Sequence, residues 1–194
     1  MAATSTSDKP DKREAILDAA LELFAERGFH GTAVPLVAER AKVGAGTIYR
    51  YFESKEALVN ALYQREKTAL GRSIIESFPF DAPPRAQFHF FWDRISVYAL
   101  AHPTELAFLE LHHHGPYLDP TSRAVEEGVL TPAYVFFEQA AKAQVVKDLP
   151  PILLGSIVWG SFTGLLRAAR EHRLELTPKV LLQAEECVWE AIRR

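Results

Sequence analysis

Three observations predict an all-α fold of about nine helices. Apolar residues recur at helical spacing along most of the 194 residues, and proline and glycine punctuate the chain at roughly helix-length intervals. No alternating apolar and polar run announces a β-hairpin. Hydrophobic residues make up 48% and charged residues 24% of the chain, the balance of a globular protein with a sizeable core. No apolar run reaches the ~18 residues needed to span a bilayer, and the polar N-terminus has no apolar signal region. The single cysteine, Cys187, excludes an intrachain disulfide framework and a cysteine-rich zinc site. Its place in an apolar helical pattern reads as a buried structural thiol. A cytoplasmic, reduced protein without a membrane partner follows.

The elements can be justified in order. Residues 1–10 are small and polar and read as a flexible tail. Asp11, with Glu14 three residues on, comes close to a capping box and opens a helix over 11–27, with Ile16, Ala20, Leu23 and Phe24 on one face. Gly28 suits the left-handed residue that ends a helix, and Phe29 can then fold back on Phe24. Thr32 is the expected cap of a short second helix, with Pro35 tolerated in its first turn and Val34, Val37, Ala38 and Ala41 facing inward. Lys42 and Val43 form a turn. A third helix spans 45–51 and turns Ile48 and Phe52 inward. Ser54 caps a fourth, whose positive end Glu56 suits, and which runs through Leu58, Leu62 and Leu70 to about 77.

Prolines organise the rest. Pro79, Pro83 and Pro84 precede a segment rich in Phe88, Phe91, Trp92 and Ile95, and Pro103 opens a helix through Leu106, Leu109 and His113. Gly115, Pro116 and Pro120 mark a loop. A long helix over 121–146 is interrupted by Pro132, and Pro151 and Pro178 open helices over 151–171 and 178–193. Residues 11–56 therefore form a small domain, the helix over 54–77 links, and residues 78–194 form a larger helical domain.

The stretch from Thr32 to Ala57, TAVPLVAERAKVGAGTIYRYFESKEA, has the layout of a helix-turn-helix. Gly44, Ala45 and Gly46 allow close approach to DNA at the start of the third helix. Ala45 and Thr47 can touch base edges or a thymine methyl, and Tyr49 and Tyr51 carry hydroxyls able to bond phosphate oxygens. Thr32 can donate to a phosphate besides capping, and Arg50 either reads guanine or faces solvent. Lys42 stands where such a turn often has glycine. A left-handed conformation there costs about 1–2 kcal/mol, and its ammonium offers a further phosphate contact. Bulk charge is neutral on the question. The net charge is −3, and residues 1–55 hold eight basic and eight acidic residues.

Residues 11–75 resemble the N-terminal domain of the tetracycline-repressor (TetR) family of transcriptional regulators. The resemblance is carried by Ala20, Phe24, Gly28, Thr32, Val37-Ala38, the run from Val43 to Phe52, and Ser54-Lys55-Glu56-Ala57-Leu58. It implies that Tyr49 and Lys55 clamp the DNA backbone. It further implies that the middle helices of the larger domain enclose an effector pocket, and that the last two form a four-helix interface with a second copy. Ile157, Ser161, Leu165, Leu181, Glu185, Val188 and Trp189 are the candidate dimer residues. The 151–171 helix is apolar nearly all round, as burial on two sides requires. Phe88, Phe91, Trp92, Phe108, His113, Tyr117, Tyr134 and Phe137 are candidates for the pocket wall, which would suit an apolar or aromatic effector. The expected partners are an operator duplex, a small effector and a second copy; no metal or cofactor is expected. The expected function is a ligand-responsive repressor, with an activator of the same family as the alternative; the rival class is an enzyme using His112, His113 or His114 with Glu105 or Glu110. No nucleophile–base pair accompanies them, and GAGTIY lacks the preceding strand and the lysine of a phosphate loop.

Overall fold

A computed structural model describes residues 11–194; the expected N-terminal tail, 1–10, lies outside the described residues. Among the described residues the order is α1 (Lys12–Gly31), α2 (Val34–Arg40), α3 (Ala45–Tyr51), α4 (Lys55–Ile75), α5 (Pro84–Ala101), α6 (Pro103–Leu111), α7 (Pro120–Lys142), α8 (Pro151–Arg170) and α9 (Pro178–Ile192). The only extended pairing among them is a lone bridge between Val146 and Arg193, which ties the end of α7 to the end of α9.

Local chemistry sets the helix ends. Asp11 accepts from the Arg13 amide and Ser54 from the Ala57 amide, so both expected caps act on orphan N–H groups. Gly28 is left-handed (φ 68°), as expected, but the helix resumes beyond it to Gly31. Phe29 still folds back, its ring stacked 6.2 Å from Phe24. α2 closes on Lys42 at φ 54°, where the Val43 amide reaches Ala38 O at 2.9 Å and the Lys42 amide reaches Glu39 O at 3.1 Å. That is the paired bonding that normally recruits glycine. Gln144 and His172 end α7 and α8 with the same positive φ.

Four expectations are corrected. Thr32 does not cap α2. Ala33 holds that position, and the Thr32 hydroxyl, 1% exposed, donates to Leu23 O and Gly28 O, because the chain reversal at Gly28 points those carbonyls at it. α6 stops at Leu111, so His113 is not helical. Cys187 is exposed, on the outer face of α9. Finally, α8 reaches a mean hydropathy of 1.4 over 18 residues, enough by length and composition alone for a membrane crossing, and 22% of that window is buried.

The core runs through both domains without a break. In the small domain Ile16, Leu17, Ala20 and Phe24 of α1 meet Val37, Ile48 and Phe52. α4 is shared: it packs against α1 on one side and α5, α6 and α7 on the others. Arg65 of α4 grips Glu14 and Asp18 of α1 at 2.9 and 2.8 Å. A buried ion pair, Lys67 to Glu110 at 3.0 Å, joins α4 to α6, and Trp159 of α8 donates to the same carboxylate at 2.7 Å. A buried charge pair survives only when its remaining lone pairs are satisfied, which the indole does here.

Candidate nucleic-acid interface

α3 is anchored from below and bare above. Ile48 and Phe52, 1% and 4% exposed, fix the seven-residue helix to the small-domain core. With those two inward, helical periodicity turns the intervening positions out. Gly44, Ala45, Gly46, Tyr49, Arg50 and Tyr51 are exposed, Tyr49 at 56% and Tyr51 at 41%; Thr47 is half-buried and Lys42 is exposed beside the turn. A Cβ added at Gly46 would meet no atom within 4 Å, and one at Gly44 only Thr47 Oγ1 at 3.8 Å. The chain itself therefore imposes no need for small side chains there, whereas a surface pressed against the helix would.

Lys55 opens α4 beside this face. Its Nζ sits 4.2 Å from the Phe29 ring centroid, and partial burial lowers its pKa from the ordinary lysine value while Glu56 opposes the shift. Of the predicted DNA contacts, Lys42, Gly44, Ala45, Gly46, Tyr49, Arg50 and Tyr51 are exposed, and Thr47 and Lys55 are half-buried. Thr32 is withdrawn, because both its burial and its bonding occupy the hydroxyl. The sequence reading missed Arg13. It lines a shallow cleft of about 440 Å³ together with Tyr49, Arg50, Tyr51 and Glu53. Nothing local in the sequence links α1 to α3, and only the closeness of Arg13 to the Phe52 ring, 5.6 Å, brings it there.

The predicted effector residues are divided between the core and the surface. Phe88, Trp92, Phe108 and Phe137 are each at most 4% exposed and serve as core: Phe88 packs on Trp189, and the Trp92 indole donates to Leu181 O at 2.8 Å. Phe91 and Tyr134 are half-buried, and Tyr134 lies against Gly155 of α8. Tyr117 stacks on Phe29 at 4.3 Å, at the seam with the small domain. His113 is exposed, contrary to expectation; the buried histidine is His114. The His114 Nε2–H donates to Phe108 O, and its Nδ1 accepts from the Tyr117 hydroxyl at 3.0 Å. Burial lowers its pKa below the ordinary value, in keeping with that neutral tautomer. His112 donates to Ala25 O at 2.9 Å, and the Arg170 guanidinium donates to the same carbonyl. Glu110 is occupied by Lys67 and Trp159. The three histidines and Glu110 thus go to separate tasks, and the metal or acid–base grouping of the enzyme reading is not assembled.

The predicted dimer residues divide. On α8, Ile157 is 38% exposed, Ser161 is exposed and Leu165 half-buried. They lie on a face with Ile152, Leu153, Gly160 and Gly164, where a Cβ added at either glycine meets nothing. On α9 the expected residues turn inward instead. Leu181, Glu185, Val188 and Trp189 pack toward α5, Glu185 being only 1% exposed with Arg85 and His89 on its carboxylate. The outward face of α9 carries Leu182, Gln183, Glu186 and Cys187.

An exposed short helix on a three-helix unit, followed by six further helices, is the architecture of a helix-turn-helix regulator. Residues 16–62 match the family model described as bacterial regulatory proteins, tetR family, and residues 63–194 match the tetracyclin repressor-like C-terminal domain. The chain belongs to the TetR family of transcriptional regulators. It is 25% identical over 186 residues to a helix-turn-helix-type transcriptional regulator of Haemophilus influenzae, covering 96% of this chain and 98% of that one. It is 40% identical over 88 residues to a helix-turn-helix-type transcriptional repressor of Mycobacterium tuberculosis, which is 43% of this chain and 47% of that one. Among solved structures, a TetR-family regulator from Haemophilus influenzae superposes with a TM-score of 0.75 at 25% identity, over 95% of this chain and all of that one. A TetR-family regulator from Marinobacter aquaeolei shares the fold with a TM-score of 0.82 at 23% identity, over 94% and 95% of the two chains.

Proposed function

We propose that this TetR-family regulator is a cytoplasmic, ligand-responsive repressor that holds a palindromic operator as a homodimer. The observation that carries the reading is the outward presentation of Gly44 to Tyr51 on a helix pinned by Ile48 and Phe52. Small residues admit the helix to the major groove, Ala45 and Thr47 meet base edges, and Tyr49 and Lys55 grip the flanking phosphates. Pairing is supported by α8, whose bare apolar and glycine-bearing face suits a second copy of the same helix. On the DNA-facing side, Lys42 before α3 and Arg50 on it add positive charge.

The effector in this reading is a small apolar or aromatic molecule that opens the α5–α8 bundle near Phe91 and Tyr134, which are half-buried. It acts by preferring an arrangement of the two small domains that no longer fits one duplex, and its effect is limited by that difference in affinity. α4 is the lever, since it begins beside the DNA-facing surface and packs further along against α5, α6 and α7. The test is selection of binding sites from random duplexes with the full chain. A recovered site with two-fold symmetry supports the reading; recovery of no shared sequence would overturn it.

A further inference from the structure

The DNA-facing lysine rests on rings that begin in the small domain and continue into the large one. Lys55 Nζ lies 4.2 Å from the Phe29 centroid, and Phe29 stacks on Tyr117 at 4.3 Å with the ring planes 21° apart. Tyr117 stands in the loop between α6 and α7 and is fixed at several points. Its hydroxyl donates to His114 Nδ1 at 3.0 Å, and its carbonyl accepts from Asn60 Nδ2 at 2.8 Å. Asn60, on α4 one turn and a half after Lys55, is 4% exposed and fully engaged: its Oδ1 accepts from the Asp119 amide and the Ser122 hydroxyl. The same helix that carries the lysine therefore fixes the loop that supports it. From these contacts we infer that Tyr117 is a positioning residue for operator binding: through Phe29 it holds the Lys55 ammonium in place to meet a phosphate.

The physical reason is preorganisation. A lysine carries its charge on a flexible four-carbon stem, and gripping a phosphate ordinarily freezes that stem. A cation already drawn over a ring face has surrendered part of this freedom before DNA arrives. Phe29 follows the reversal at Gly28, and its ring is held by two stacking neighbours, Phe24 at 6.2 Å in its own domain and Tyr117 at 4.3 Å. The nearer support, Tyr117, comes from the other domain. Any rearrangement of residues 112–119 therefore reaches the DNA contact directly, in addition to whatever passes along α4.

The inference rests on the reading of Lys55 as a phosphate contact, and the test separates the two. The full chain is compared with Y117L, Y117F and K55A on a duplex carrying the selected site. Lysines are reductively ¹³C-dimethylated, which preserves their charge, and the Lys55 resonance is assigned by its loss in K55A. In the wild type this resonance lies upfield of the exposed lysines, from the ring current of Phe29. Y117L weakens operator binding by about tenfold and moves the resonance toward the exposed lysines, while Y117F retains both properties. If K55A weakens binding but Y117L matches the wild type in affinity and resonance, the positioning role is overturned alone. If K55A binds as tightly as the wild type, the phosphate reading fails and the inference falls with it. A wild-type Lys55 resonance that is unshifted also overturns it, whatever the stability of the variants.

Discussion

Replacing Gly28 with alanine tests how α1 is joined to the rest of the small domain. Gly28 sits at φ 68° and ψ 179°, a region nearly closed to any residue with a Cβ. Holding alanine there costs about 1–3 kcal/mol. The new Cβ would also lie 3.3 Å from His112 Nδ1, crowding the ring whose Nε2–H donates to Ala25 O at 2.9 Å. Loosening that bond removes about 1 kcal/mol. Alanine regains about 0.4–1 kcal/mol by stiffening the unfolded chain. The net expectation is a loss of about 1–3.6 kcal/mol, or roughly 2–14 °C in Tm for a chain of this size. Urea unfolding followed by far-ultraviolet circular dichroism, with a thermal scan beside it, measures both. A loss below about 0.5 kcal/mol would refute the argument, since the strain term alone exceeds that value.

Three further outcomes follow from the same geometry. Tyr49→Phe and Lys55→Ala weaken binding at every sequence tested, and the lysine change alone lowers the salt slope by about one, as titration by fluorescence anisotropy at several salt concentrations will show. Ile157→Glu places a carboxylate on the bare face of α8; light scattering should find monomer, and operator affinity should fall at least about tenfold because the two half-sites are no longer linked. His114 is held neutral in the fold, its pKa below the value of 6.5 for a free histidine, by burial first, with His112 and Lys67 acting in the same sense and Glu110 and the Phe108 carbonyl against it. Its contribution to stability is present above pH 6.5 and is lost as pH falls below that value, because the unfolded chain then binds a proton that the folded one resists. Urea unfolding at pH 7.5, 6.5 and 5.5 should show that acid-side loss, and His114→Gln should reduce it.

What could be read from the sequence was local, and what could not was distant. Asp11 and Ser54 act on amides two and three residues away, so their roles as caps were legible. At Lys42 the sequence left a left-handed residue and an altered turn both open, and the backbone takes the left-handed form at φ 54°. Thr32 misled because its hydroxyl reaches Leu23 O, nine residues back, only once Gly28 has turned the chain. His113 misled because the apolar pattern of α6 was extended past Leu111, whereas His114 Nε2 bonds back to Phe108 O and closes the end of the helix. Helical spacing marks apolar faces without saying which neighbour covers them. Phe88 and Trp92 therefore read as readily as pocket wall as they did as core. The inward turn of α9 depends on Arg85, one hundred residues before Glu185, which no local pattern could reveal. On α8, Ile157 and Ser161 of the predicted dimer residues lie outward.

The account stands on two copies of α3 entering successive major grooves on one side of a duplex. Hydroxyl-radical footprinting of the full chain on its selected site measures this directly. It should show two protected backbone patches about 10 bp apart on one face of the DNA, both fading together in Ile157→Glu. A single protected patch, or uniform cleavage at a protein concentration that saturates binding, would contradict it.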